Sequence, residues 1–337
     1  MPQVSVIVPF FNEALHLEQC LSSILRQSFQ DYEVLLIDDF STDASFAIAQ
    51  RIVANDARFH LCRNDQKGLF NARNKALMLA KGDYICFVDA DDEACSDYLL
   101  ELVSCAKVSN PDLVVQGYLH VISGQPHLRL PAFDGFHTIQ DDPNAVFSSF
   151  DVNLLGNLFG KLYKLSIIQL HNIQFSSKVL MSEDLFFVLS YLFHCQTIDL
   201  SRRANYNYII RRKSMSNSYW PFQTELGSFH DLDHAWKQVL DAFPCQALNV
   251  SYGVFIGNYT NRLIYSHLAH PSSIGFRHVQ QEYLEQNCYP AFCQYFHPKS
   301  LFLKLLRWTA LHGLYRSYQL LMTLAIKRYH LVVNFAS

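Results

Sequence analysis

The chain has 337 residues, half of them hydrophobic and 17% charged, enough apolar material for a full core and enough length for two domains. That composition excludes wholesale disorder, and a net charge of −3 argues against a general nucleic-acid binder, which would need a basic footprint. The charge is uneven: residues 1–120 hold 17 acidic and 9 basic side chains, whereas six Lys/Arg and no acid follow Glu285.

The nine cysteines are an odd number without CxxC spacing, and Cys20 and Cys86 fall inside apolar patterns. Thiols acting as small hydrophobes in a reducing compartment are therefore expected, without a zinc site. The start, MPQVSVIVPFFNE, has no basic n-region, so no signal peptide is expected. No apolar segment reaches the ~20 residues of a membrane-spanning helix. These features point to a cytoplasmic protein.

In chain order, short apolar runs predict strands at Val4–Val8, Tyr32–Ile37, Phe59–Cys62, Tyr84–Val88 and Leu113–Tyr118. Between them Leu17, Cys20, Leu21, Ile24 and Leu25 keep helical spacing, as do Ala72, Ala76, Leu77 and Ala80. Ser41 suits the N-cap of a helix through Ile48 and Ile52, and Gly82 suits a helix stop. This alternation predicts an α/β fold, a mostly parallel sheet with helices on both faces. Ligands of such open sheets bind beyond the carboxyl ends of the strands, where Asn12, Asp38, Asp39, Asn64 and Asp89 to Asp92 should converge. Residues 122–150, rich in Pro, Gly and Asp, read as a long excursion. A helix is expected around Glu183–Phe193, and the chain from 219 onward reads as mostly helical and aromatic-rich.

The stretch YICFVDADDE, residues 84–93, ends a buried strand in Asp89, Asp91, Asp92 and Glu93. Carboxylates spaced by one residue can share a hard divalent cation, which completes its shell with phosphate oxygens. The alternative is a solvated loop with helix caps, since Asp92 and Ser96 precede the helical run Tyr98–Ala106. IDDFSTD, residues 37–43, is a second acidic strand end, able to accept from a base N–H or a ribose hydroxyl, or to cap a helix. In GLFNARNKAL, residues 68–77, Arg73 near a helix start can meet a phosphate, brace the acidic cluster or lie exposed. RRANYNYIIRRK, residues 202–213, reads as a strand, and the acidic first domain argues against taking its cations as a nucleic-acid patch. The cationic apolar run 299–330 reads either as an interfacial segment leaning on anionic lipid or as a core helix pair broken near Gly313.

Together VSVIVPFFNE, LSSILRQSFQDYEVLLIDDFSTD, ARNKALMLAKGDYICFVDADD and SEDLFF resemble glycosyltransferase family 2, the nucleotide-sugar-dependent inverting enzymes with a GT-A fold, over residues 3–218. Phe40 stands where that family usually has Gly, and the chain beyond Tyr219 matches nothing in the pattern. The resemblance implies a GT-A catalytic domain over 1–218 and a helical region over 219–337 associated with acceptor or membrane. It implies that Pro9 and Phe11 line the nucleotide pocket, Asp39 reads the base and Arg73 lies close to base and phosphates. Asp89 would face the ribose, Asp91 would bind the Mn²⁺ or Mg²⁺ bridging the diphosphate, and Asp92 would support either. Asp184 in SEDLFF, with Glu183 beside it, would be the base, although acids at a helix start also suit the helix dipole. Arg211 would steady the leaving diphosphate, with Ser214 and Ser216 nearby.

An inverting displacement needs a base opposite the leaving group and positive charge around the departing diphosphate, so these roles are chemically coherent. The implied donor is a UDP-linked sugar. The implied acceptor is a glycan or lipid-linked glycan of capsule, exopolysaccharide or lipopolysaccharide assembly, met in the cytoplasm or by peripheral contact with the cytoplasmic face of the inner membrane. Two other classes fit less of the pattern. A metal-dependent phosphohydrolase characteristically carries its nucleophilic Asp on an early strand, whereas here the acids follow the fourth. A non-catalytic nucleotide-binding scaffold has no need of both Asp91 and Asp184.

Overall fold

The structure is a computed structural model, and it describes residues 1–149, 152–211 and 220–269. The first half alternates β1 Val4–Phe10, α1 Leu17–Leu25, β2 Tyr32–Asp38, α2 Ser45–Val53, β3 Phe59–Arg63, α3 Leu69–Leu79 and β4 Tyr84–Phe87. β1 and β2 are buried along their whole length, which is why their sequences are continuous apolar runs rather than alternating ones. β1 lies between β2 and β4, β3 flanks β2, and all four strands are parallel. The chain thus reverses its direction of travel across the sheet at β1, opening a crevice at the carboxyl ends of β1 and β4.

The second half is mixed. It contains β5 Glu93–Ala94, α4 Tyr98–Ser109, β6 Leu113–Ile122, β7 Gln125–Arg129, β8 Gly135–Thr138, α5 Pro143–Ser148, α6 Val152–Gly156, β9 Lys161–Lys164, α7 Leu165–Leu170, α8 Glu183–Leu192 and β10 Thr197–Ile209. β9 inserts antiparallel between β4 and β6, and β10 runs parallel to β6 on its far side. α9 Phe222–Ala242 packs on α8, and α10 Gln246–Ala269 follows. The chain divides into two units, Met1–Leu248 and Asn249–Ser337. Among the described residues no helix is long and apolar enough to cross a membrane, and the cationic run 299–330 lies outside them.

An aromatic cluster fixes α8 against the sheet. Phe87 at the end of β4 meets Tyr163 of β9, Phe175 and Phe187 of α8 edge-on, with ring centroids 5.6 to 5.8 Å apart. Phe175 and Phe187 stack at 4.4 Å. Such pairs add directional contact to plain apolar burial, so the amino end of α8 is held beside the carboxyl end of β4.

Several local expectations need correction. The excursion over 122–150 contains ordered strands: β6 and β7 form a hairpin about Ser123 and Gly124, whose φ values of 50° and 78° suit the tight turn of a two-residue hairpin. Every residue of β7 is exposed, so no apolar alternation announces it. Ser41 does not cap α2. Asp43 does the local bonding, accepting from the Ser45 N–H at 2.9 Å, while the Ser41 hydroxyl accepts the Asn12 N–H at 3.1 Å. Gly82 lies beyond α3, which ends at Leu79, and answers a different need. Its N–H donates to the Ser5 hydroxyl at 2.8 Å, and that hydroxyl donates to Glu33 at 2.6 Å, in a buried node under β1 and β2.

A Cβ at Gly82 would lie 2.6 Å from the Ser5 nitrogen and 2.8 Å from the Val4 carbonyl carbon, both of them backbone. Overpacking of this kind costs about 1–3 kcal/mol. Gly82→Ala is therefore expected to lower the urea unfolding midpoint correspondingly, and an unchanged midpoint would show that the node yields freely.

Candidate active site

β4 delivers its acids to the crevice edge, and each finds a different partner. Asp92 is buried, accepting the Tyr206 hydroxyl at 3.0 Å and the Ile209 N–H at 2.8 Å. The same Tyr206 oxygen accepts the Asp89 N–H at 3.1 Å, so β10 grips the acidic loop from both sides. Asp91 is the more open, and its carboxylate accepts from Arg211 at 3.0 Å. Glu13 lies within reach of this pair: burial first, then the charge of Asp91, raises its carboxyl above the usual range.

The central contact belongs to Arg73. α3 carries this residue with only 4% of its side chain exposed, over the ring of Phe175 at 5.2 Å. Its Nη1 donates to Glu183 at 2.6 Å and to Asp184 at 2.7 Å, and Nη2 lies 3.6 Å from Asp89. One guanidinium therefore bridges the loop after β4 and the first turn of α8. Three carboxylates around one cation remain net anionic. Burial raises the carboxyls of both Asp89 and Glu183; Arg73 pulls them down, and the neighbouring acids push them up again. Asp184 is 34% exposed, the most open of the three.

The carboxyl ends of β1 and β2 are stitched together beside this cluster. The Asn12 side chain accepts the Thr42 N–H at 2.8 Å. Asp39 accepts from the Asn64 amide at 2.7 Å and from the Gly68 N–H at 2.8 Å. Pro9 lies near the end of β1 and Phe11 just beyond it, where the exposed Phe11 ring lies under the Lys67 ammonium at 4.6 Å. Phe40 adopts φ 63°, the left-handed region that favours glycine, at the turn leaving β2. The structure thus joins Arg73, Asp89 and Asp184 directly, pairs Asp91 with Arg211, and sets Pro9, Phe11 and Asp39 on the same edge of the sheet. Ser214 and Ser216 lie outside the described residues.

Two functional candidates escaped the sequence reading. Tyr206 holds both Asp89 and Asp92, and nothing local marks it apart from its neighbours. Lys161 is fully buried at the start of β9, donating to the Leu154 carbonyl at 2.7 Å and to that of Asn157. A lysine inside the apolar run NLFGKLY was the available signal. Burial pushes its ammonium down to about 7, and the charge of Asp184 works against that fall.

The sign of this shift is testable. A folded pKa below the unfolded value means that the unfolded chain binds more protons between pH 7 and 10, so this group's contribution to stability rises with pH there. Relative to Lys161→Met, wild-type unfolding free energy is expected to climb by up to about 1.4 kcal/mol per pH unit between pH 7.5 and 9.5. A difference flat in pH, read from urea melts, would contradict it.

Comparison with known proteins follows the same lines. The model for the glycosyl transferase family 2 matches residues 5–155. A putative glycosyltransferase, EpsH, of Bacillus subtilis (strain 168) is 28% identical over 222 residues, covering 65% of this chain and 64% of its own. A poly(ribitol-phosphate) beta-glucosyltransferase of Bacillus spizizenii is 29% identical over 241 residues, covering 70% of this chain and 37% of the relative. The alignments therefore span less than two thirds of these relatives' length. The crystal structure of S. aureus TarS 1–349 in complex with UDP-GlcNAc superposes with a TM-score of 0.67 at 19% identity, over 97% of this chain and 92% of that one. At that identity the likeness shows the fold, which is GT-A, a mixed α/β arrangement around the crevice described above. Over residues 5–155 the chain is similar to glycosyl transferase family 2.

Proposed function

We propose that this chain transfers a sugar, with inversion, from a nucleoside diphosphate sugar, UDP-linked, to a hydroxyl of a glycan or lipid-linked glycan in bacterial surface-polysaccharide assembly. The observation that carries the reading is Arg73 holding Asp184, part-exposed, across from the Asp89–Asp91 edge. An inverting displacement needs a base on the face opposite the leaving group, and an open carboxylate braced beside the donor edge suits that role.

In this reading Pro9 and Phe11 take the nucleobase face, Asp39 its polar edge and Asp89 the ribose. Arg73 keeps the base carboxylate turned toward the anomeric carbon, and Arg211 stabilises charge on the departing diphosphate. Asp184 accepts the proton of the attacking hydroxyl, with Glu183 beside it.

The donor set suits a hard divalent cation, Mn²⁺ or Mg²⁺. Asp91 presents a part-exposed carboxylate, one oxygen of which is paired with Arg211. Among the described residues no three His, Cys, Asp or Glu side chains are grouped to hold a metal alone. A cation on Asp91 would thus have few protein ligands, the usual situation of Mg²⁺ sites completed by phosphate and water. When bound, it would neutralise charge on the diphosphate. A cytoplasmic enzyme needs a route to lipid-linked acceptors, and the cations Lys299, Lys304, Arg307 and Arg316 supply attraction to an anionic inner-membrane face.

Two substitutions separate these roles. Asp184→Asn is expected to keep UDP binding and to cut transfer by ~10²–10⁴-fold. Asp91→Asn is expected to remove Mn²⁺-dependent UDP binding in calorimetric titration while leaving the thermal melt in place. Undiminished turnover by Asp184→Asn at saturating acceptor would move the base elsewhere, and metal-dependent UDP affinity surviving in Asp91→Asn would displace the metal assignment.

A further inference from the structure

The carboxyl end of α8 opens onto a cleft that the transfer reading does not use. It has a volume of about 380 Å³, within the roughly 300–1,000 Å³ of small-ligand sites. Three helices end on it: His171, Phe193 and Phe243, which follow the last turns of α7, α8 and α9, all line it. Thr138 of β8 and Gln196 complete the wall at the amino end of β10, where Thr138 pairs with Thr197. Through β9 and β6, β10 runs in the same direction as β4. Tyr206, which grips the acidic loop, stands roughly 25 Å further along β10. The cleft therefore lies at the opposite edge of the sheet from the proposed transfer site.

The protein's own bonds hold the walls. Asp112 accepts the N–H groups of Gln196 at 2.9 Å and Thr197 at 3.1 Å, and the Ile139 N–H donates to the Gln196 carbonyl at 2.8 Å. The Gln140 amide donates to the Ala242 carbonyl at 3.1 Å, and the buried Phe243 packs on Phe147. Other lining side chains are not committed in this way. His171 and His194 stack at 3.7 Å and 10°, yet neither imidazole makes a hydrogen bond among the described residues. Nor does the Gln196 side-chain amide or the Thr138 hydroxyl. Four polar side chains thus border one cleft with their donors and acceptors unused.

What such a lining accepts follows from its charge. No Asp, Glu, Lys or Arg side chain borders the cleft. Burial, then the charge of His171, lower the His194 pKa, so that imidazole is neutral at neutral pH. An oxyanion would meet three helix carboxyl ends, whose partial charge is negative, with no Arg or Lys to offset them. An organic cation would find no carboxylate. Parallel imidazoles send their in-plane lone pairs side by side rather than to one point, and the buried Cys195 thiol donates to the Thr197 carbonyl at 3.3 Å, so this set does not chelate a metal. A neutral ligand rich in hydroxyls suits every group present. It accepts from amide and imidazole N–H groups, donates to amide oxygens, and lays C–H surface against the exposed Phe193. We propose that the cleft is a second glycan site, separate from the place of transfer, which takes a neutral pyranose between Gln196, Thr138 and the imidazole pair. Its role rests on the glycosyl-transfer reading: it retains the growing glycan while Asp184, at the other end of α8, serves the sugar that accepts.

The test uses the full chain labelled with ¹³C-histidine, with the ring C–H signals of His171 and His194 as reporters. The probes are the methyl pyranosides of glucose, galactose, mannose and N-acetylglucosamine, set against inorganic phosphate, ethanolammonium and glycerol at matched pH. At least one pyranoside is expected to shift both imidazole signals saturably, and the other three probes to leave them in place. Gln196→Ala and Thr138→Val should each raise the midpoint about fivefold, the size of one lost hydrogen bond. Gln196 is exposed and its side chain bonds to nothing, so its alanine variant keeps the fold and the reporters. Signals unmoved by all four pyranosides, an equal shift with glycerol, a stronger one with phosphate or ethanolammonium, or midpoints unchanged in both variants would overturn the site. The shift needs neither donor nor turnover and should persist in Asp184→Asn. A chain that transfers no sugar would therefore count against the transfer reading alone, and one that transfers sugar with unmoved signals against the cleft alone.

Discussion

The site depends on one buried guanidinium. Arg73 touches Asp89, close by in the chain, and Glu183 and Asp184, which lie 110 and 111 residues further along it. Removing charges from water is expensive, and an uncompensated buried charge costs about 3–5 kcal/mol when its partner is deleted. Without Arg73 the first turn of α8 and the loop after β4 would repel each other where the proposed reaction requires them close. The cation therefore sets geometry as well as charge. It holds the proposed base side and donor side in one frame, and leaves Asp184 part-exposed.

The rest of the fold can be understood as support for that frame. β9, inserted antiparallel beside β4, brings Tyr163 to the Phe87–Phe175–Phe187 cluster, which seats α8 and the ring beneath Arg73. β10 reaches back across the sheet so that Tyr206 and Ile209 hold Asp92, freeing Asp91 for the crevice. Lys161 ties the carbonyls of Leu154 and Asn157 under the same region. The supports at Asp92 and Lys161 are buried polar groups with their partners supplied, and such groups specify a single arrangement more sharply than apolar packing does.

How much of this was legible follows from where each signal is written. β1, β2 and β4 are buried on both faces, so their apolar runs and acidic ends were visible locally, and the convergence of Asn12, Asp39, Asn64 and Asp89 followed from strand direction alone. β7 is exposed throughout and β8 mostly half-buried, and neither shows the period-two alternation that would announce a strand. Bracing of the acidic cluster was one of the readings open for Arg73, but its partners were hidden because they lie far along the chain. The departure at Phe40 was visible as a residue and became intelligible only as a backbone angle, φ 63°, at which glycine is the unstrained choice. Ser41 misled because α2 starts later, after Ala44, and the Ser41 hydroxyl is taken by the Asn12 N–H.

The central claim is geometric: a single carboxylate base, held by Arg73, stands opposite a leaving diphosphate. The stereochemistry of the first product formed tests it most directly. In a ¹H NMR time course with an α-linked UDP-sugar, taken faster than mutarotation, the account predicts that the newly formed anomeric centre appears first as the β configuration, whether the acceptor is a glycan hydroxyl or water. Appearance of the α anomer first would mean two displacements or a front-side path, and would contradict the role given to Asp184 and the frame that Arg73 maintains.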